Sequence, residues 1–127
     1  MKKLLFLFAL IAVLALVALP LRGASSSRKQ MAVFTFAQPV HVQGQILRGE
    51  YLFVHDDAAM QRGEACTYIY KGNAPLRDKL VISFHCLPTE RATAIHFVVR
   101  TEEKTPGTIE LREFQFAGDR EAHVVPW

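Results

Sequence analysis

From residue 31 onward, short apolar runs are separated by turn residues. The runs are Met31–Phe36 (MAVFTF), Pro39–Leu47 (PVHVQGQIL), Tyr51–His55 (YLFVH), Cys66–Lys71 (CTYIYK), Leu80–Leu87 (LVISFHCL), Ala94–Thr101 (AIHFVVRT) and Thr108–Phe116 (TIELREFQF), followed by a C-terminal AHVVPW. Val40 and Val42 alternate against His41 and Gln43, which is the period of a strand. The breaks are turn chemistry: Arg48-Gly49-Glu50, Gly72-Asn73-Ala74-Pro75 and Thr105-Pro106-Gly107. Asp56–Gly63 reads as a loop, and Ala58–Ala65 has room for one helical turn at most. This pattern predicts an all-β domain of about seven to eight strands, an antiparallel β-sandwich or a small barrel.

The last long run contains a phase conflict. Ile109 and Leu111 share one face of a regular strand, while Phe114 and Phe116 share the other. One extra residue between Leu111 and Phe114, a β-bulge, turns all four inward. The aromatic residues Phe34, Phe36, Tyr51, Phe53, Tyr68, Tyr70, Phe84, Phe97, Phe114 and Phe116 are expected to face the core.

The N-terminus follows a different pattern. Lys2 and Lys3 precede an uncharged apolar run, Leu4–Leu21, which ends around Pro20 and small residues at Gly23–Ser27. This is the order of a secretion signal. Cleavage after Ser26, with Ala24 at the small-residue position, divides the chain into a signal helix (1–26), a polar leader (27–30) and one β-domain (31–127). An uncleaved membrane anchor is the alternative, since about 18 to 20 apolar residues cross a bilayer. Either way the β-domain is expected outside the cytoplasm, in the periplasm or the extracellular space.

Processing changes the charge. The whole chain has 15 Lys+Arg against 12 Asp+Glu. Removing Lys2, Lys3 and Arg22 leaves 12 of each, so the domain is neutral. A neutral chain has no electrostatic attraction to a phosphate backbone, which argues against nucleic-acid binding.

An oxidising destination bears on the two cysteines. Pairing Cys66–Lys71 with Leu80–Leu87 so that Tyr68 faces Phe84 and Tyr70 faces Ile82 places Cys66 opposite Cys86. A Cys66–Cys86 disulfide is therefore expected. No Cys-x-x-Cys motif is present. His85 is unsuited to activating Cys86, because neighbours on a strand point to opposite faces.

The same register argument applied to Leu80–Leu87 and Ala94–Thr101 sets His85 beside His96 on the outer face. That pair is a candidate copper or zinc site, with Glu90 or His123 as possible third ligands. Two solvent-facing histidines are the simpler reading. His41 and His55 read as isolated, outward strand residues, and Asp56-Asp57 lacks the oxygen ligands of a calcium loop. The chain has no Gly-x-Ser-x-Gly, P-loop, dinucleotide fingerprint or His-Glu-x-x-His.

Phe34–Phe53 (FTFAQPVHVQGQILRGEYLF) resembles the opening of small secreted bacterial β-domain proteins of uncharacterised function. The matching positions are Phe36, Pro39-Val40, Val42-x-Gly44, Leu47 and Gly49-x-Tyr51-x-Phe53, while Arg48-Gly49-Glu50 stands where those proteins carry Pro-Ala-Gly or Pro-Pro-Gly. The resemblance implies an exported β-domain and carries over no active site. The expectation is thus a non-enzymatic, exported domain that binds a protein or small-molecule partner or serves the envelope, without a cofactor. The alternatives are a periplasmic copper- or zinc-binding protein using His85 and His96, and a hydrolase or isomerase whose polar groups converge only on folding.

Overall fold

The computed structural model describes residues 28–127. The predicted signal or anchor, 1–26, lies outside the described residues. Eight strands form: β1 (Lys29–Val42), β2 (Gln45–Asp56), β3 (Thr67–Lys71), β4 (Leu80–Phe84), β5 (Leu87–Glu90), β6 (Val98–Thr105), β7 (Thr108–Gln115) and β8 (Glu121–Val124). A five-residue helix, α1 (Asp57–Gln61), follows β2. The expected polar leader is part of the domain. Lys29 and Gln30 belong to β1, and Arg28 pairs with Asp57 and Asp119 at 3.2 and 3.1 Å.

The strands follow the order β4-β3-β2-β1-β7-β8-β5, with β6 paired to β7. The sheet curls into a half-barrel. It is mixed rather than wholly antiparallel, because β1 and β7 run parallel where His41 meets Glu110. β4 and β5 are successive in sequence yet end the strand order on opposite sides, joined only by His85 and Cys86. The curl brings the two ends together across this short link.

Local chemistry explains the long β1–β2 hairpin. Gln43 and Gly44 both have positive φ, 44° and 82°, as a two-residue turn matched to strand twist requires. The turn expected at Arg48–Glu50 is instead part of β2, opposite a bulge in β1. Phe36 pairs with Gly49 and Val40 with Leu47, so Ala37–Pro39 oppose Arg48 alone. Gly49 sits there at φ 90°, and Pro39, which has no N–H to pair, falls in the break.

The bulge expected in the last long run is present. Arg100 pairs with Glu113 and Thr101 with Leu111, leaving Arg112 as the extra residue. Leu111, Phe114 and Phe116 are consequently all buried, with Ile109 packed against them. Phe53 and Phe114 are fully enclosed with ring centroids 5.4 Å apart, and Phe97 lies 5.3 Å from Phe53 and 5.1 Å from Phe116.

The β3–β4 register differs from expectation by one residue. Thr67 faces Phe84, Tyr68 faces Ser83 and Ile69 faces Ile82. Thr67 and Ile69 are therefore buried, whereas Tyr68 and Tyr70 are half-buried, with the Tyr68 hydroxyl donating to the Ala65 carbonyl at 2.9 Å.

Gly49 gives a direct test of the β2 backbone opposite the β1 bulge. A Cβ at this position meets no atom within 4 Å, so only the backbone conformation opposes substitution. Gly49→Ala is expected to lower unfolding stability by roughly 1–2 kcal/mol in a denaturant titration. An unchanged midpoint would contradict a left-handed backbone there.

Candidate metal centre

Four segments converge where the sheet ends meet. His55 is the penultimate residue of β2, on the same face as Tyr51 and Phe53, and is buried. Asp56 then caps α1, its carboxylate accepting from the Ala58 and Ala59 amides at 3.0 and 3.3 Å. That cap fixes Asp57 and Met60 relative to His55. Cys66 immediately precedes β3. Its carbonyl accepts from the Asp56 amide at 2.8 Å, and its amide donates to the Phe84 carbonyl at 3.0 Å. Cys86 lies in the link between β4 and β5. His123 comes from β8, held between Phe114 of β7 and Pro88 of β5.

Cys86 is the hub. Its Sγ is 3.0 Å from Cys66 Sγ, 3.3 Å from His55 Nε2, 3.6 Å from His123 Nδ1 and 3.9 Å from Met60 Sδ. His55, Cys66, Cys86 and His123 are all at most 1% exposed. The donor atoms of His55, Cys66 and Cys86 lie within 4.8 Å of one another, a spacing that can hold a metal ion.

The cysteines correct one expectation. They meet as predicted, but both are free, and no disulfide joins them. The sulfurs are about 1 Å farther apart than a covalent S–S bond allows. The one-residue register slip is the reason. Cys66 is not opposite Cys86 on paired strands. The chain leaves β4 after Phe84 and turns Cys86 inward, where its amide donates to Cys66 Sγ at 3.2 Å.

The predicted His85–His96 pair is not assembled. β4 pairs with β3, His96 precedes β6, and β6 pairs with β7, so the two histidines are not on adjacent strands. His96 is exposed. His85 lies at the rim of the thiol cluster, with Nδ1 3.9 Å from Cys66 Sγ and 2.9 Å from the Glu64 carbonyl. That carbonyl can only accept, so Nδ1 carries the proton. Of the third ligands considered, His123 joins the cluster, while Glu90 is exposed and pairs with Arg120. His55 and Met60 are the donors that sequence reading missed. Alternation already placed His55 on the face of Tyr51 and Phe53, which was the available signal.

Burial governs the electrostatics. It pushes the Cys86 thiol up to about 12, with the Cys66 sulfur adding to the rise. His123 is lowered to about 4, first by desolvation and then by His55, whose ring centroid is 3.9 Å away. Desolvation also lowers His55, against the pull of Asp57. Both rings are therefore neutral near pH 7, as metal ligation requires. His55 Nδ1 lies 3.1 Å from Asp57 Oδ1, poorly aligned for a hydrogen bond but close enough to bias the proton to Nδ1 and free Nε2 toward Cys86. His123 Nε2 and the Thr67 hydroxyl are buried without hydrogen-bond partners.

Among the described residues, no helix is long and apolar enough to cross a membrane. A separate cleft of about 640 Å³ is lined in part by His41, Glu110, Arg112 and Trp127. It contains no serine or cysteine nucleophile. Comparison of the chain with protein-family models, curated proteins and solved structures returned no match.

The depressed His123 predicts acid sensitivity of the metal-free protein. The unfolded ring takes up a proton near pH 6.5, and the folded ring only near pH 4, so the unfolded state binds more protons in between. Stability from this group is complete above pH 6.5 and falls as pH drops toward 4, by roughly 3 kcal/mol. Denaturant titrations at several pH values should show that decline, and His123→Gln should flatten it. Equal declines in both proteins would contradict the buried neutral ring.

Proposed function

We propose that this chain is an exported, non-enzymatic β-domain that binds one soft transition-metal ion, copper or zinc, at the buried cluster of His55, Cys66 and Cys86. The convergence of two thiols and an imidazole nitrogen within 4.8 Å, away from solvent, carries this reading. Thiolate and imidazole donors suit copper and zinc and are poor ligands for calcium or magnesium. Asp57 behind His55 supplies the carboxylate partner that orients a ligating histidine.

The export half of the proposal is supported by the Lys2-Lys3 start, the apolar run to Leu21 and the resemblance over Phe34–Phe53. The metal-binding alternative read from sequence thus moves from His85 and His96 to the interior. A soft metal would displace the Cys86 proton, which the apolar surroundings otherwise hold tightly. It would also link donors from β2, from the start of β3 and from the β4–β5 link.

Metal binding should therefore stabilise the fold. Reduced, metal-free protein titrated anaerobically with zinc or copper(I) should take up one equivalent and unfold at higher temperature. The gain should approach about 2.7 kcal/mol at a hundredfold excess over Kd. Cys86→Ser should abolish both uptake and the shift. Absence of any shift with either ion in the wild-type protein would refute metal binding at this cluster.

A further inference from the structure

The separations around Cys86 distinguish which donors can share one ion. Bond lengths of about 2.0–2.3 Å with tetrahedral or trigonal angles place ligand atoms about 3.3–4 Å apart. His55 Nε2 at 3.3 Å, His123 Nδ1 at 3.6 Å and Met60 Sδ at 3.9 Å from Cys86 Sγ fall in that range. Cys66 Sγ, at 3.0 Å, is the one donor closer than two ligands of one ion sit, so both sulfurs could bond the same ion only if they moved apart. His123 is enclosed, and Nδ1 is the ring nitrogen that faces Cys86 Sγ, so its donor is directed into the cluster.

Resting on the metal-binding proposal above, we propose that the ion is copper, held by Cys86 Sγ, His55 Nε2 and His123 Nδ1, with Met60 Sδ as a weak fourth ligand and Cys66 outside the coordination shell. Two imidazoles, one thiolate and a more distant thioether form the donor set of copper sites that pass between Cu(I) and Cu(II). A thioether is a ligand for copper and not a preferred one for zinc, so Met60 is the discriminating residue. Cys66 then has a separate role. Its thiol hydrogen can point to the Cys86 sulfur, a contact that tunes a copper thiolate from outside its bonds.

The chemistry separates this assignment from a two-thiol zinc site. The experiment uses untagged, reduced, metal-free protein under anaerobic conditions. Cu(I) affinity is measured by competition with a chromophoric Cu(I) chelator, and zinc affinity with a zinc-binding dye. Wild type is compared with Met60→Leu, His123→Gln, Cys66→Ser and Cys86→Ser, each checked for retained strand content by circular dichroism. Copper should bind one per chain and should not be displaced by equimolar zinc. Met60→Leu and His123→Gln should weaken copper binding about tenfold or more, with Met60→Leu leaving zinc affinity unchanged. Met60→Leu conserves volume at a half-buried site, so it remains informative even if His123→Gln fails to fold. Cys66→Ser should retain copper, and after one-electron oxidation it should show an intense visible thiolate-to-copper(II) band. Cys86→Ser should lose copper.

Preference for zinc, with Cys66→Ser losing the metal and Met60→Leu inert, would overturn this inference and leave the broader metal-binding proposal standing. Failure of the wild-type protein to bind either ion would overturn both.

Discussion

The structure depends on one short connection. His85 and Cys86 alone join β4 to β5, the two ends of the strand order. A two-residue link cannot cross an open, flat sheet of this width, so the sheet must curl until its ends are neighbours. The curl wraps the inner face around Phe53, Phe114 and Phe116, and it places Cys86 at the seam. Donors then reach Cys86 from both sides: His55 and Cys66 from the β2–β3 side, and His123 from β8. A group that bonds across this seam acts as a tie between the two ends of the sheet.

The seam is also where the interior is least like an apolar core. Two imidazoles lie 3.9 Å apart in a water-poor site, one thiol is held far above its usual range, and several polar atoms lack partners. Burying such groups without compensation costs free energy, and most native interiors avoid it. Elsewhere this molecule does so. Glu113, nearly enclosed, is gripped by Arg91 and Arg100, which hold its carboxyl below the usual range. Gln115 is satisfied by Arg100 and by the carbonyls of Ala92 and Asp119. At the seam, by contrast, His55, His123 and Thr67 each keep a buried polar atom without a partner, beside two thiols that face one another.

Local patterns were legible and long-range ones were not. The phase conflict among Ile109, Leu111, Phe114 and Phe116 announced the bulge at Arg112, because strand alternation is a nearest-neighbour constraint. The approach of Cys66 to Cys86 was legible as well, though for the wrong reason. The aromatic residues suggested a register in which Tyr68 and Tyr70 face inward, but burying Thr67 and Ile69 prevailed. Gly49 looked like a turn because a positive φ also serves a strand residue opposite a bulge, and the true turn at Gln43-Gly44 was hidden in an alternating run. His123 could not be placed from sequence, since its site depends on β8 pairing with both β7 and β5. His55 was within reach of alternation, but a lone histidine after Tyr51 and Phe53 reads as polar and outward until the residues opposing it are known.

The central claim is that Cys86 anchors a metal ion joining both sides of the seam. The most direct measurement is anomalous diffraction at the copper edge from crystals of the copper-loaded protein. The account predicts one anomalous peak per chain, bonded to Cys86 Sγ and His55 Nε2 between β2 and the β4–β5 link. Copper found only on the surface, with the space around Cys86 unoccupied, would contradict it.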